Sequence, residues 1–201
     1  MSGSSGFRST RAATGVVAGF GRSPGFRVIL AAVALVTLTG CSTSEPTSTP
    51  PITTAGVAET ATVSRVNDGD TLRTTAGRKI RLVQIDAPEL RGDCYGKAAL
   101  AALRRLTPPG ARVQLERDPG LDATDRYGRQ LRYVFVGNTN VNVALVRQGA
   151  ASPYFFRGDR GRFAKDFLDA VADARRTNRG YWGACPRARL DLDRGSVTGP
   201  P

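Results

Sequence analysis

The chain has 201 residues, enough for one domain with a real hydrophobic core. Lysine and arginine number 29 against 17 acidic residues, a formal net charge of +12, and there is no histidine. That excludes Ser-His and Cys-His catalysis and His-ligated zinc, while three cysteines exclude a four-cysteine zinc site. Catalysis is left to carboxylates, guanidiniums, hydroxyls, backbone groups or a hard metal ion. The basic balance points to an anionic partner, nucleic acid or an anionic membrane surface. An arginine-rich composition imposed by a GC-rich genome is the plainer alternative.

Residues 1–40 carry Arg8, Arg11, Arg22 and Arg27 and no acid, then an apolar run over 28–40 that ends at Cys41. A basic segment followed by a short apolar one reads as a secretory signal, and the run is short for a membrane-spanning helix. Leu38-Thr39-Gly40-Cys41 resembles the lipobox of bacterial lipoproteins, in which the cysteine is lipidated and becomes the new N-terminus. An unlipidated signal or an uncleaved anchor is the other reading. Residues 41–56 are rich in Ser, Thr and Pro, the composition of a tether. Removing 1–40 takes away four basic residues and leaves +8, so the charge belongs to the domain as well. With Cys41 lipidated, Cys94 and Cys185 remain, either paired or as two buried thiols. Export favours the pair.

From residue 57 a domain is expected to about residue 190. Residues 59–66 alternate apolar and polar, as a half-buried strand does. Asn67-Asp68-Gly69-Asp70 is a turn, and 71–75 and 79–85 are two further strands. Residues 95–106 repeat alanine and leucine at helical spacing and stop at Pro108-Pro109-Gly110. Residues 113–116 and 130–136 are the fourth and fifth strands, separated by a polar loop. Helices follow at 141–148 and 162–177. Residues 191–201 are expected to be a disordered tail. Five strands with a helix between the third and fourth suit an α+β fold, a five-stranded OB-fold barrel with three helices.

Three polar clusters sit at strand edges or adjoining loops: Asp68-Gly69-Asp70-Thr71; Arg81 with Asp86-Ala87-Pro88-Glu89; and Asp125-Arg126-Tyr127-Gly128-Arg129. Each alone is unspecific, since carboxylates on turns are mostly solvated or capping, and Asp125 by itself reads as a turn-shaping residue. Arg81 could pair with a nearby acid, and Glu89 could cap the following helix.

Together, with 141–149 and Trp182, they resemble the staphylococcal nuclease (thermonuclease) family, here as an exported lipoprotein member. The likeness runs from Val63 to Trp182 in matching order. It implies a calcium-dependent nuclease that hydrolyses DNA and RNA at the 5′ P–O bond and leaves 3′-phosphates. Asp70, Asp86 and the backbone carbonyl of Ala87 would bind Ca2+, a hard oxygen set. Glu89 would act as general base, and Arg81 and Arg129 would stabilise the phosphoryl transition state. Tyr127, Tyr154 and Arg126 would contact substrate. Phe156 stands where the family has a hydroxyl-bearing ring. A monomer, anchored outside a bacterial membrane by lipid on Cys41, completes the expectation. The competing classes are a nucleic-acid-binding barrel without catalysis and an adhesion module using its basic face.

Overall fold

The computed structural model describes residues 58–200; the expected signal peptide, Cys41 and the tether over 41–56 lie outside them. Strands β1 (Ala58–Val66), β2 (Thr71–Thr74) and β3 (Lys79–Leu82) form an antiparallel meander. A two-residue strand β4 (Ile85–Asp86) and helix α1 (Gly96–Leu106) follow. Strand β5 (Arg112–Glu116) pairs with β1 and with β6 (Gln130–Val136), and β6 returns in parallel to β3. That last pairing closes a five-stranded barrel, as the sequence predicts.

Strand β7 (Thr139–Asn140) leads into helix α2 (Val141–Arg147), and the Asn140 side chain caps it by accepting from Val143 N–H at 3.2 Å. Strand β8 (Ser152–Pro153) pairs with β4 and is followed by a 3-10 turn, Phe156–Gly158. Helices α3 (Ala164–Arg176) and α4 (Tyr181–Ala184) complete the helical side. A hairpin of β9 (Arg189–Asp191) and β10 (Gly195–Val197) ends the described chain.

The barrel interior follows from patterning. On β5, Val113 and Leu115 point inward while Arg112 and Gln114 face solvent. On β1 the inward residues are Val63 and Val66, three apart. An irregularity in the register between Val63 and Arg65 supplies the extra residue. Asn142, wholly buried at the start of α2, stitches the parallel seam: its side chain accepts from Val134 N–H (3.0 Å) and donates to the carbonyls of Val83 (2.9 Å) and Arg132 (3.2 Å). A disulfide joins Cys94, before α1, to Cys185, after α4.

Two of the differences from the sequence reading shape the site. The expected strand over 79–85 is broken, because Gln84 takes a left-handed conformation with φ 61°. Its surroundings hold it there. The Gln84 side chain accepts from the Tyr133 hydroxyl at 3.1 Å and donates to the Asp159 carbonyl at 2.9 Å, and its own carbonyl accepts from Tyr154 N–H at 3.0 Å. The expected disordered tail over 191–201 is instead ordered through residue 200, within the described range. Leu190 and Leu192 pack against the core, Phe155 N–H donates to the Leu192 carbonyl at 2.7 Å, and Cys94 N–H to the Gly199 carbonyl at 2.8 Å. Tertiary contacts outweigh a polar local composition.

Candidate active site

The turn after β1 carries Asp68 and Asp70 and lies flat against α1. A side chain at Gly69 would come within 2.5 Å of the Ala87 Cβ and 2.8 Å of the Ala99 Cβ. Glycine is therefore what lets this turn reach the loop after β4. The Asp70 carboxylate accepts from Ala87 N–H at 2.9 Å and from the Thr71 hydroxyl at 3.0 Å. Asp68 accepts from Asp70 N–H at 3.1 Å. The first two clusters of the sequence are thus tied to each other by the Asp70 carboxylate and the Ala87 backbone.

Arg81 is 9% exposed, and both its terminal nitrogens are engaged. Its Nη1 donates to the carbonyls of Leu82 (2.7 Å) and Ile85 (2.6 Å), which the break at Gln84 turns toward it. Its Nη2 stands 3.0 Å from Asp70 Oδ2 and 2.8 Å from Asp86 Oδ1. The other Asp86 oxygen accepts from Ser196 on β10. Arg129 is held from the third cluster. Asp125 accepts from Tyr127 N–H and Arg129 N–H, both at 2.9 Å, and from Arg129 Nε at 2.6 Å. Arg129 Nη1 reaches the Thr71 hydroxyl at 3.5 Å. Asp125 therefore shapes the turn, as expected, and also aims Arg129.

Asp68, Asp70, Asp86, Glu89, Arg81 and Arg129 line one cavity of about 170 Å³ with Gly69, Ala87 and Pro88. The Glu89 side chain is exposed. Burial, with the Asp70 charge added, pushes Asp68 up to about 6. Burial also raises Asp86; Arg81 opposes it, Asp70 adds to it and the Ser196 hydrogen bonds lower it. With every group ionised, four carboxylates against two guanidiniums give a local charge of −2.

Among the described residues no group of three or more His, Cys, Asp or Glu is gathered as a ready metal cage. The donor chemistry nevertheless fits a divalent hard cation. The oxygens are carboxylates, the excess charge is −2, and the Arg81 guanidinium already bridges Asp70 and Asp86 as a positive charge between them. Ala87 lines the cavity, and its N–H is committed to Asp70.

The cavity shares Arg81, Asp86 and Arg129 with a wider cleft of about 610 Å³. Tyr127, Tyr154 and Arg126 all lie on this cleft, and so do Phe156, Arg157 and Arg194. Tyr127 and Phe156, 63% and 51% exposed, are the exposed large hydrophobic residues of the described chain. The Arg126 guanidinium lies 4.8 Å from the Tyr127 ring centre, and that of Arg157 lies 5.0 Å from the Phe156 ring centre. Trp182 is half-buried against Tyr181, and Arg147 lines neither opening. Arg194 and Ser196 had no signal in the sequence, because the segment around them reads as mixed charge without a motif.

Fold and site together define an OB-type barrel whose loops gather carboxylates and arginines beside an aromatic, basic cleft. A family model described as staphylococcal nuclease homologue matches residues 79–184, more than half of the chain. The chain belongs to that family. It is 35% identical over 136 residues to endonuclease YhcR of Bacillus subtilis (strain 168), a match covering 60% of this chain and 11% of that protein. It is 35% identical over 107 residues to the thermonuclease of Staphylococcus intermedius, covering 49% of this chain and 61% of the relative. Protein ParB of Escherichia coli is 35% identical over 132 residues, 60% of this chain and 70% of that protein. The first two of these relatives are thus matched over less than two thirds of their own length.

Proposed function

We propose that the chain is a nuclease that hydrolyses phosphodiester bonds of DNA and RNA with the help of Ca2+, breaking the 5′ P–O bond and leaving 3′-phosphates. The observation that carries this reading is the single cavity lined by four carboxylates and two arginines, opening on a cleft with two exposed aromatic rings. The family and the names of the relatives support the same reading.

Asp70 and Asp86 would hold the cation, with the Ala87 carbonyl as the third protein ligand. When bound, it would supply positive charge against the phosphate. Glu89, exposed on the same cavity, is free to take a proton from an attacking water. Arg129, aimed by Asp125, donates to an equatorial phosphate oxygen. Arg81 offsets part of the negative charge of Asp70 and Asp86 in the resting site. With a cation held by those carboxylates, Arg81 Nη2 would be free to face the phosphate as well. The phosphorane-like transition state gains charge on oxygens that two guanidiniums face, so no imidazole is required. Tyr127, Tyr154 and Phe156 offer rings for base stacking, with Arg126 and Arg157 beside them for the backbone.

We propose further that the enzyme is exported and acts as a monomer outside a bacterial membrane, anchored by lipid on Cys41. The Cys94–Cys185 disulfide suits an oxidising compartment. The test of the activity is fluorescence release from a quenched single-stranded DNA, with calcium and then with a chelator. Cleavage that needs calcium supports the reading. A folded protein that binds DNA but never cuts it would replace the enzyme with a binding barrel.

A further inference from the structure

The β9–β10 hairpin lies beyond residues 79–184, the part matched to the family, yet it reaches the centre of the site. Ser196 donates twice to one oxygen of Asp86, from its backbone N–H at 3.0 Å and from its hydroxyl at 2.9 Å. The preceding Gly195 has φ +84° and packs so close to Asp86 that a Cβ there would overlap the carboxylate. The approach is therefore built in by a glycine that no other residue replaces without strain. The hairpin is held from three sides: Leu192 to Phe155, Gly199 to Cys94, and the disulfide at its root.

The result is a carboxylate with its two oxygens assigned. Oδ2 is tied to Ser196, and Oδ1 faces Arg81. An aspartate torsion is otherwise broad and easily turned. Donors that fix a ligating carboxylate in this way change metal affinity about 10- to 100-fold when removed.

We propose that Ser196 is a positioning residue. Its hydroxyl holds Asp86 in the orientation that binds a divalent cation, which makes the C-terminal hairpin part of the site. This rests on the cation reading given above. The hydroxyl is separated from shape by an isosteric pair, Ser196→Thr and Ser196→Val, alongside Ser196→Ala.

The experiment is calorimetric titration of the intact chain with CaCl2, with no nucleic acid present. Thermal melting in chelator serves as the check on folding. Wild type and Ser196→Thr are expected to bind alike, and Ser196→Ala and Ser196→Val about 10-fold more weakly, with melting in chelator unchanged. Equal affinity in all four overturns the positioning role and leaves the cation site standing. A weakening in Ser196→Val matched by an equal one in Ser196→Thr overturns it too, because shape alone would then explain the effect. A wild type that binds no calcium overturns both the inference and the cation reading beneath it.

Discussion

Arg81 lies 2.8 Å from Asp86, five residues further along the chain, because the turn at Gln84 breaks the strand between them. In an unbroken strand, residues 81 and 86 would be about 17 Å apart and on opposite faces. The turn instead points the carbonyls of Leu82 and Ile85 at the Arg81 guanidinium and leaves its outer nitrogen for two carboxylates. Both terminal nitrogens of the buried guanidinium thus face oxygens, the condition under which a buried charge is tolerated.

Arg81→Ala should abolish cleavage and also weaken the fold. Removing one partner of a buried ion pair leaves Asp70 and Asp86 facing each other, at a cost of roughly 3 kcal/mol. Urea unfolding in chelator measures it, and added calcium should restore part of the loss. An unchanged midpoint would show that the guanidinium contributes nothing to the resting site.

Glu89→Gln should separate binding from chemistry. The side chain is exposed, and in the hydrogen bond from Glu89 to Asp93 only its backbone N–H takes part. Turnover should fall by about 10²- to 10⁴-fold with melting temperature and single-stranded DNA affinity unaltered. Full activity in the variant would remove Glu89 from the proton transfer.

Tyr127→Ala and Phe156→Ala should each weaken single-stranded DNA binding by about 1–3 kcal/mol, read as a rise in KM larger than any fall in kcat. Both rings are largely exposed, so stability should not change. If KM stays constant in both, the cleft is not where the bases lie.

Asp125 gives a pH prediction. Burial would raise its carboxyl, but hydrogen bonds from Arg129 and Tyr127 and the Arg129 charge outweigh it, and the group sits below its ordinary 3.8. A depressed acid stabilises the fold above its unfolded value and loses that contribution as pH falls through the lower folded value. Wild type should therefore lose stability relative to Asp125→Asn as pH drops below about 4. Parallel melting curves from pH 6 to pH 3 would contradict this.

Reduction, or Cys94→Ser with Cys185→Ser, should destabilise the domain by about 4–5 kcal/mol, because the bond closes a loop with a sequence separation of 91. Denaturant midpoints with and without reductant measure the effect. A shift near zero would mean that the unfolded chain is compact without the crosslink.

Much of the site was legible before the structure. Asp70, Asp86, Arg81, Glu89 and Arg129 stand in short motifs at strand ends, and the structure brings all five to one cavity. Their spacing could be read because each motif is local: a turn, a strand edge, a loop. Asp68 was visible as the first acid of its turn but carried no role, since its burial depends on α1 lying against Gly69. Arg194 and Ser196 were invisible for a different reason. Their segment is polar and short, and its order comes from contacts with Phe155, Cys94 and Asp86, far away in sequence.

The amino-acid sequence alone determined the five barrel strands, the three longer helices and the barrel class, which follow from side-chain periodicity and turn chemistry acting over a few residues. Which acidic and basic residues meet followed from the likeness of the three motifs to the nuclease family. Tertiary structure decided the break at Gln84, the double hold of Arg81 on Asp70 and Asp86, and the return of the C-terminal hairpin onto Asp86 from 110 residues away. Such contacts form only when packing brings distant segments together, and the hydrogen bonds that then close stabilise backbone conformations that local preference disfavours.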